Sequence, residues 1–237
     1  MPTQLISQLF DRMDAWRHLP NYQLERRADL FFSLYLPSVL ESKFGVPVSP
    51  IVIPEFPVRI GTIYPNIPTD KSYKIDYVCF SADLRTAIFV ELKTEGLSRR
   101  RAQDKYLLAA QKAGFENFLH GLLLIFQATA AKRKYYHLLN ILEQAGFLTI
   151  PPEVHNIVKT PSLIGLTAAA ENIAVVRAPT KAVVVYVQPN VPQDGSHPQI
   201  IPFSEFGAVV RKSTDPISTR FAQSLAAWSD IQAGHIP

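Results

Sequence analysis

Apolar residues recur at helical spacing over residues 4–18, where Leu5, Ile6, Leu9, Phe10, Met13 and Trp16 form one stripe. That spacing predicts an amphipathic helix resting on a core, and Pro20 stops it. Asn21 is placed to cap a second helix with Leu24, Ala28, Phe31 and Tyr35 along one face. Pro37 should end or kink that helix, with Ser38 to Phe44 continuing it. Four prolines (Pro47, Pro50, Pro54, Pro57) crowd residues 46–57, which read as an extended loop.

The period then changes. Val58 to Ile63 alternates loosely, while Tyr73 to Phe80 and Thr86 to Lys93 read as clearer strands on either side of Ser81-Ala82-Asp83-Leu84-Arg85. Helical spacing returns from Ser98 to Gly114, with Ala102, Tyr106, Leu107, Ala109 and Ala110. Two more helices are expected over Phe115 to Thr129 and Ala131 to Gly146, the glycine serving as a C-cap. Residues 147–172 show no decisive pattern. Lys181 to Gln188 is β-branched and nearly all apolar, as befits a central strand buried on both faces. Pro189 to His197 reads as loop, Gln199 to Phe203 as an edge strand, and Phe203 to Arg211 and Ile217 to Ile231 as closing helices. Helix, strands, helix, strand, helix is the order of an α/β domain with a mixed sheet.

Composition narrows the class. Of 237 residues 47% are hydrophobic and 19% charged, which excludes a disordered chain. One cysteine, Cys79, allows no internal disulfide and no cysteine-rich zinc site, and points to a reducing compartment. The longest apolar stretches, such as Leu122 to Phe126 and Ala182 to Val187, fall far short of the ~20 residues of a membrane span. No signal peptide is read at the start, so a soluble, cytoplasmic protein without a membrane partner is expected. The net charge is +4. The window from Lys93 to Lys112 holds Lys93, Arg99, Arg100, Arg101, Lys105 and Lys112 against Glu95 and Asp104, a net of +4 by itself. Such a patch suits phosphate contacts; a plain solvated helix start would look the same.

Phosphate-loop, dinucleotide, nucleophile-elbow and zinc-protease motifs are absent, and the six histidines are scattered. What remains is KIDYVCFSADLRTAIFVELKTE. Period two puts Asp76 on a face with Val78 and Phe80, and Glu91 on a face with Lys93. If the hairpin is symmetric about Asp83 and Leu84, Asp76 lies opposite Glu91; a slip of one residue would part them. Facing carboxylates repel, and a divalent cation offsets this. Hard oxygen ligands favour magnesium or manganese over zinc. A structural alternative pairs one acid with Lys93 and the other with Lys74 on a solvated face. Against it, Ile88 to Leu92 is an apolar run, an expensive place for an unpaired carboxylate.

Ile75-Asp76, fourteen residues, then Glu91-Leu92-Lys93 resembles the active-site signature of the PD-(D/E)XK nuclease-like superfamily, with Ile75 in place of proline. The resemblance implies a restriction-endonuclease-like core of helix, three strands, helix and strand. It covers about Asn21 to Gly114 and Val183 to Val187, leaving residues 115–170 as a mainly helical insertion in a single domain of residues 1–237. It implies an acidic residue from the first core helix, for which Glu25 in LERRADLFF is best placed, although Arg26 and Arg27 beside it also suit a surface ion pair. From the second core helix it implies Gln103, with Lys105 and Tyr106 as weaker matches. The implied activity is magnesium- or manganese-dependent phosphodiester hydrolysis of nucleic acid, DNA being the expected substrate. Asp76, Glu91 and the Leu92 carbonyl would hold the metal, and Lys93 would orient water or stabilise developing charge. Arg99, Arg100, Arg101 and Lys105 would position the nucleic-acid backbone. A homodimer is left open. The rival expectation is a catalytically inactive module on the same fold, binding nucleic acid or a protein partner. A helix-turn-helix reader opening at Lys132-Arg133-Lys134 is a third idea, though no clear recognition helix follows.

Overall fold

The computed structural model describes residues 2–67, 69–95, 101–191 and 199–229. The chain begins with α1 (Pro2–Trp16), α2 (Leu24–Phe44), β1 (Val48–Arg59) and the short α3 (Ile60–Ile63). A hairpin, β2 (Ser72–Ser81) and β3 (Thr86–Leu92), leads into α4 (Arg101–Ala113), α5 (Phe115–Ala128) and α6 (Lys132–Gln144). Next come β4 (Leu148–Thr149), α7 (Pro152–Lys159), α8 (Leu166–Ala170) and β5 (Ala174–Val175). The chain closes with β6 (Lys181–Gln188), β7 (Gln199–Pro202), α9 (Phe203–Val210) and α10 (Pro216–Ser229).

Five strands make a mixed sheet in the order β1-β2-β3-β6-β7, antiparallel from β1 to β3 and parallel from β3 to β7. The parallel step from β3 to β6 needs a long crossover. The chain from α4 to α8 supplies it and covers one face of the sheet. There Phe56, Phe80 and Phe89 of the strands meet Phe115, Phe118 and Phe147. On the other face α1, α2, α9 and α10 bury Phe10, Phe32, Phe206, Phe221 and Trp228 over Cys79, Val90 and Val185. The region 115–170 is mainly helical, and its Phe115, Phe118 and Leu122 are buried in the same cluster as the sheet.

The β2–β3 hairpin has the anticipated register, with Tyr77 across from Val90 and Phe80 from Ala87. Its turn is fixed locally. Leu84 takes a left-handed φ of 58°, and Asp83 Oδ1 accepts from Ser81 Oγ at 2.6 Å and Arg85 N at 3.0 Å.

Three local expectations are corrected. Residues 48–59 form strand β1, not a loop: it lies at the sheet edge, where a proline's missing N–H costs no ladder bond. Val58 and Arg59 end that strand, so no separate strand runs to Ile63; α3 follows instead. Asn21 does not cap α2: it sits at φ 63°, and the helix starts at Leu24 without a side-chain cap. Ser38 to Phe44 do continue α2 beyond Pro37, as expected, and the buried Phe32, Leu36, Val39 and Leu40 hold the helix onto the sheet through the proline.

Strict alternation fails at one place. Ile75 and Val78 both enter the cluster under α4 and α5, as do Ile53 and Phe56 of β1. The pairs Pro54–Tyr77 and Phe56–Ile75 bracket Glu55 and Asp76, so those two residues face each other where the strands change face. Glu55 has a φ of 51°, a left-handed strand residue that twists the edge there. Asp76 therefore does not simply share a face with Val78 and Phe80; it stands at the switch.

Candidate functional site

The last β2–β3 pair is Tyr77–Val90, which leaves Asp76 and Glu91 next in line at the end of the hairpin. Here a side chain replaces the ladder: Asp76 Oδ2 accepts the Leu92 N–H at 2.8 Å. Glu91 is 1% exposed. Its Oε1 accepts from Lys93 Nζ at 2.7 Å and also from Gln103 Nε2 on α4. Its Oε2 is buried and receives no donor.

Lys93 follows β3 and is still held by the sheet, its N–H donating to Val187 O at 2.8 Å. Its buried ammonium also donates to Leu92 O at 2.9 Å and lies 3.8 Å from Glu25 Oε2. Glu25 comes from the first turn of α2. The structure thus gathers Glu25, Asp76, Glu91, Leu92, Lys93 and Gln103 at the carboxyl end of β3. The ion-pair partner of Glu25 is Lys93, and Lys74 pairs with Glu55 at 2.5 Å.

Burial dominates the electrostatics. It raises the Glu25 carboxyl to about 7, against the pull of Lys93. Burial also raises Asp76 and Glu91, and for Glu91 the Asp76 charge adds to it. For Lys93 burial works downwards, but Glu91 and Glu25 outweigh it and hold the ammonium above the usual lysine value. The cluster carries more acid than one lysine neutralises.

A cleft of about 640 Å³ opens beside the cluster, lined by Tyr22, Glu25, Arg26, Tyr73, Lys93, Gln103 and Tyr106 among others, while Asp76, Glu91 and Leu92 do not line it. A smaller cavity of about 180 Å³ adjoins Asp76, Glu55, Lys74 and Leu92. Lys105 is exposed on α4 and does not line the cleft. Arg99 and Arg100 lie outside the described residues, as does the side chain of Arg101, whose backbone opens α4. The Lys132-Arg133 run is occupied internally. Lys132 Nζ donates to Phe126 O and Gln127 O, and Arg133 Nη2 to Thr160 O and Pro161 O.

Sequence reasoning missed Glu55, and it named Arg26 and Lys74 only as ion-pair partners. Glu55 was hidden because its proline-flanked segment does not look like a strand. Tyr73 carried no motif at all.

Among the described residues no group of three or more His, Cys, Asp or Glu side chains is poised around a single point. The oxygen set here is two carboxylates and a main-chain carbonyl. The orphaned Oε2 of Glu91, a residue on which the Asp76 charge acts, is the kind of buried acceptor that a hard divalent cation satisfies, so these residues fit magnesium or manganese. No helix among the described residues is long and apolar enough to cross a membrane. No protein-family profile, curated protein or solved structure matches this chain.

Proposed function

We propose that this chain is a divalent-metal-dependent nuclease with a restriction-endonuclease-like core, hydrolysing phosphodiester bonds of nucleic acid, with DNA the expected substrate. The observation that carries the reading is Glu91 Oε2, a buried oxygen with no donor, in a residue that also feels the charge of a second carboxylate, Asp76. The order α2, β1, β2, β3, α4, β6 adds support, since helix, three strands, helix and strand is the order that the resemblance to the PD-(D/E)XK superfamily implies.

Asp76, Glu91 and the Leu92 carbonyl would hold magnesium or manganese, which when bound supplies Lewis acidity toward a phosphoryl oxygen and toward water. The chain's own groups do the rest. The Leu92 N–H fixes the Asp76 carboxylate, and Gln103 fixes that of Glu91. The Lys93 ammonium sits where negative charge builds as water attacks phosphorus, and stabilises that charge more than the ground state. Arg26 on the cleft wall draws the phosphate backbone in without reading sequence.

One observation favours a second reading, a catalytically inactive module that binds nucleic acid or a protein partner. Lys93 Nζ already contacts two of the oxygens named as ligands, Glu91 Oε1 and Leu92 O. The test is incubation of wild type and Glu91→Gln with single-stranded, duplex and flapped DNA and RNA, in magnesium, manganese or EDTA. Metal-dependent cleavage lost in Glu91→Gln supports the nuclease; no cleavage of any substrate transfers the case to the module.

A further inference from the structure

Resting on the nuclease reading, we infer that Tyr73 and Tyr106 form a stacking platform for an unpaired nucleobase, so that the cleft takes single-stranded or locally opened nucleic acid. The two rings lie 4.6 Å apart with planes only 9° from parallel. Tyr106 is the fixed member. It is 8% exposed, and its hydroxyl donates to Lys74 O at 2.9 Å. It stands three residues along α4 from Gln103, the side chain that donates to Glu91. Tyr73 is the presented member. It lies on β2 opposite Val58 and keeps 38% of its surface exposed. Both rings line the cleft that also contains Lys93 and Glu25.

The outer ring of this pair has one face covered by Tyr106 and stays partly open to solvent. It has the form of a recognition surface. A tyrosine already stacked on a buried partner loses little conformational freedom when a third ring joins it. The same cleft is lined by Glu25, Lys93 and Gln103 of the cluster, so a base held on Tyr73 brings the neighbouring phosphates into the cleft where the Lys93 ammonium lies. A base inside a duplex has both faces covered by its neighbours, whereas an unpaired base offers a face to an aromatic side chain. The cleft walls agree: Glu25 and Arg26 of α2 and Gln103 and Tyr106 of α4 flank it, and a single strand enters such a cleft more easily than a rigid duplex.

The experiment measures binding by fluorescence anisotropy in EDTA with labelled DNA of about 12 nucleotides. Three probes are used: single strand, duplex, and a single strand carrying abasic positions. The proteins are wild type, Tyr73→Phe and Tyr73→Ala, each checked for a cooperative melt at the wild-type temperature. Wild type should prefer the intact single strand to both other probes. Tyr73→Ala should weaken single-strand binding by roughly 10-fold or more while leaving the abasic strand unchanged, and Tyr73→Phe should stay within about 2-fold of wild type. Equal binding of all three probes by wild type, or a Tyr73→Ala affinity equal to wild type, would overturn the platform while leaving the nuclease reading intact. Absence of binding to every probe, together with absence of cleavage, would remove both.

Discussion

Lys93 Nζ donates to Glu91 Oε1 at 2.7 Å, while Oε2 of the same buried group receives no donor, in a site where the Asp76 charge also acts on Glu91. One oxygen of this group is therefore hydrogen-bonded and the other is not. The unsatisfied half is what separates this cluster from an ordinary buried salt bridge, in which every oxygen would be paired.

Asp76→Asn tests that imbalance without metal. The amide can still accept the Leu92 N–H, it removes one of two repelling charges, and it offers a donor to Glu91. Relieving a buried unsatisfied acceptor is worth about 1–3 kcal/mol. For a chain of this size each kcal/mol moves Tm by roughly 2–4 °C. Thermal melts in EDTA should show the variant at or above the wild-type Tm, and magnesium should raise the wild type only. A lower Tm with an undiminished magnesium response would contradict the shared site.

The pH dependence of metal-free stability follows from the raised carboxylates. Burial holds the carboxyls of Glu25, Asp76 and Glu91 above their unfolded values, so the folded chain takes up protons at a higher pH than the unfolded chain does. Their contribution is fully present below the unfolded values, near 4.5 for glutamate, and is lost as pH rises through the folded ones, about 7 for Glu25. Metal-free Tm should therefore fall from about pH 5 to pH 7 and beyond, and Glu25→Gln should flatten the lower part of that fall. A Tm that rises across this window in EDTA would show the carboxylates ionised and well paired.

Lys93 separates catalysis from binding. Lys93→Ala should lower cleavage by about 10²-fold or more, the scale of losing one electrostatic stabiliser, while metal affinity changes only a few-fold. Lys93→Arg should recover part of the loss at most, because a planar fork does not fit where a compact ammonium reaches Glu91, Leu92 and Glu25 together. Single-turnover rates at saturating metal give the comparison. Cleavage unaffected by Lys93→Ala would place the chemistry elsewhere.

Phe118→Ala asks whether residues 115–170 stand apart from the sheet. Phe118 on α5 stacks on Phe89 of β3 at 5.3 Å and lies 6.5 Å from Phe56 of β1. Truncation should cost about 3–5 kcal/mol, seen as a lower denaturant midpoint of one cooperative transition. A separate early transition with the sheet intact would mark 115–170 as an independent unit.

The hairpin was legible because two alternating apolar runs meet at a short turn, and that set Tyr77 opposite Val90. Lys181–Gln188 was legible for a different reason: only a strand covered on both faces carries so unbroken a run of Val and Tyr. Strand β1 was not, since Pro50, Pro54 and Pro57 give one signal in a loop and at a sheet edge, and only the neighbour β2 distinguishes them. The switch of face at Glu55 and Asp76 was equally hidden, because a left-handed φ at a glutamate has no counterpart in composition. At the site, spacing brought Asp76 and Glu91 together. Spacing did not reveal that Lys93 also spans Leu92 O and Glu25, since those contacts need α2 seated on the sheet.

The most direct measurement is calorimetric titration of manganese and of magnesium into wild type, Asp76→Asn and Glu91→Gln. One specific site is expected in the wild type. Each substitution should weaken it by about 10-fold or more, since even groups that only support metal ligands contribute 10–100-fold. Absence of a site in the wild type, or binding untouched by both substitutions, would contradict the account that Asp76 and Glu91 hold one cation.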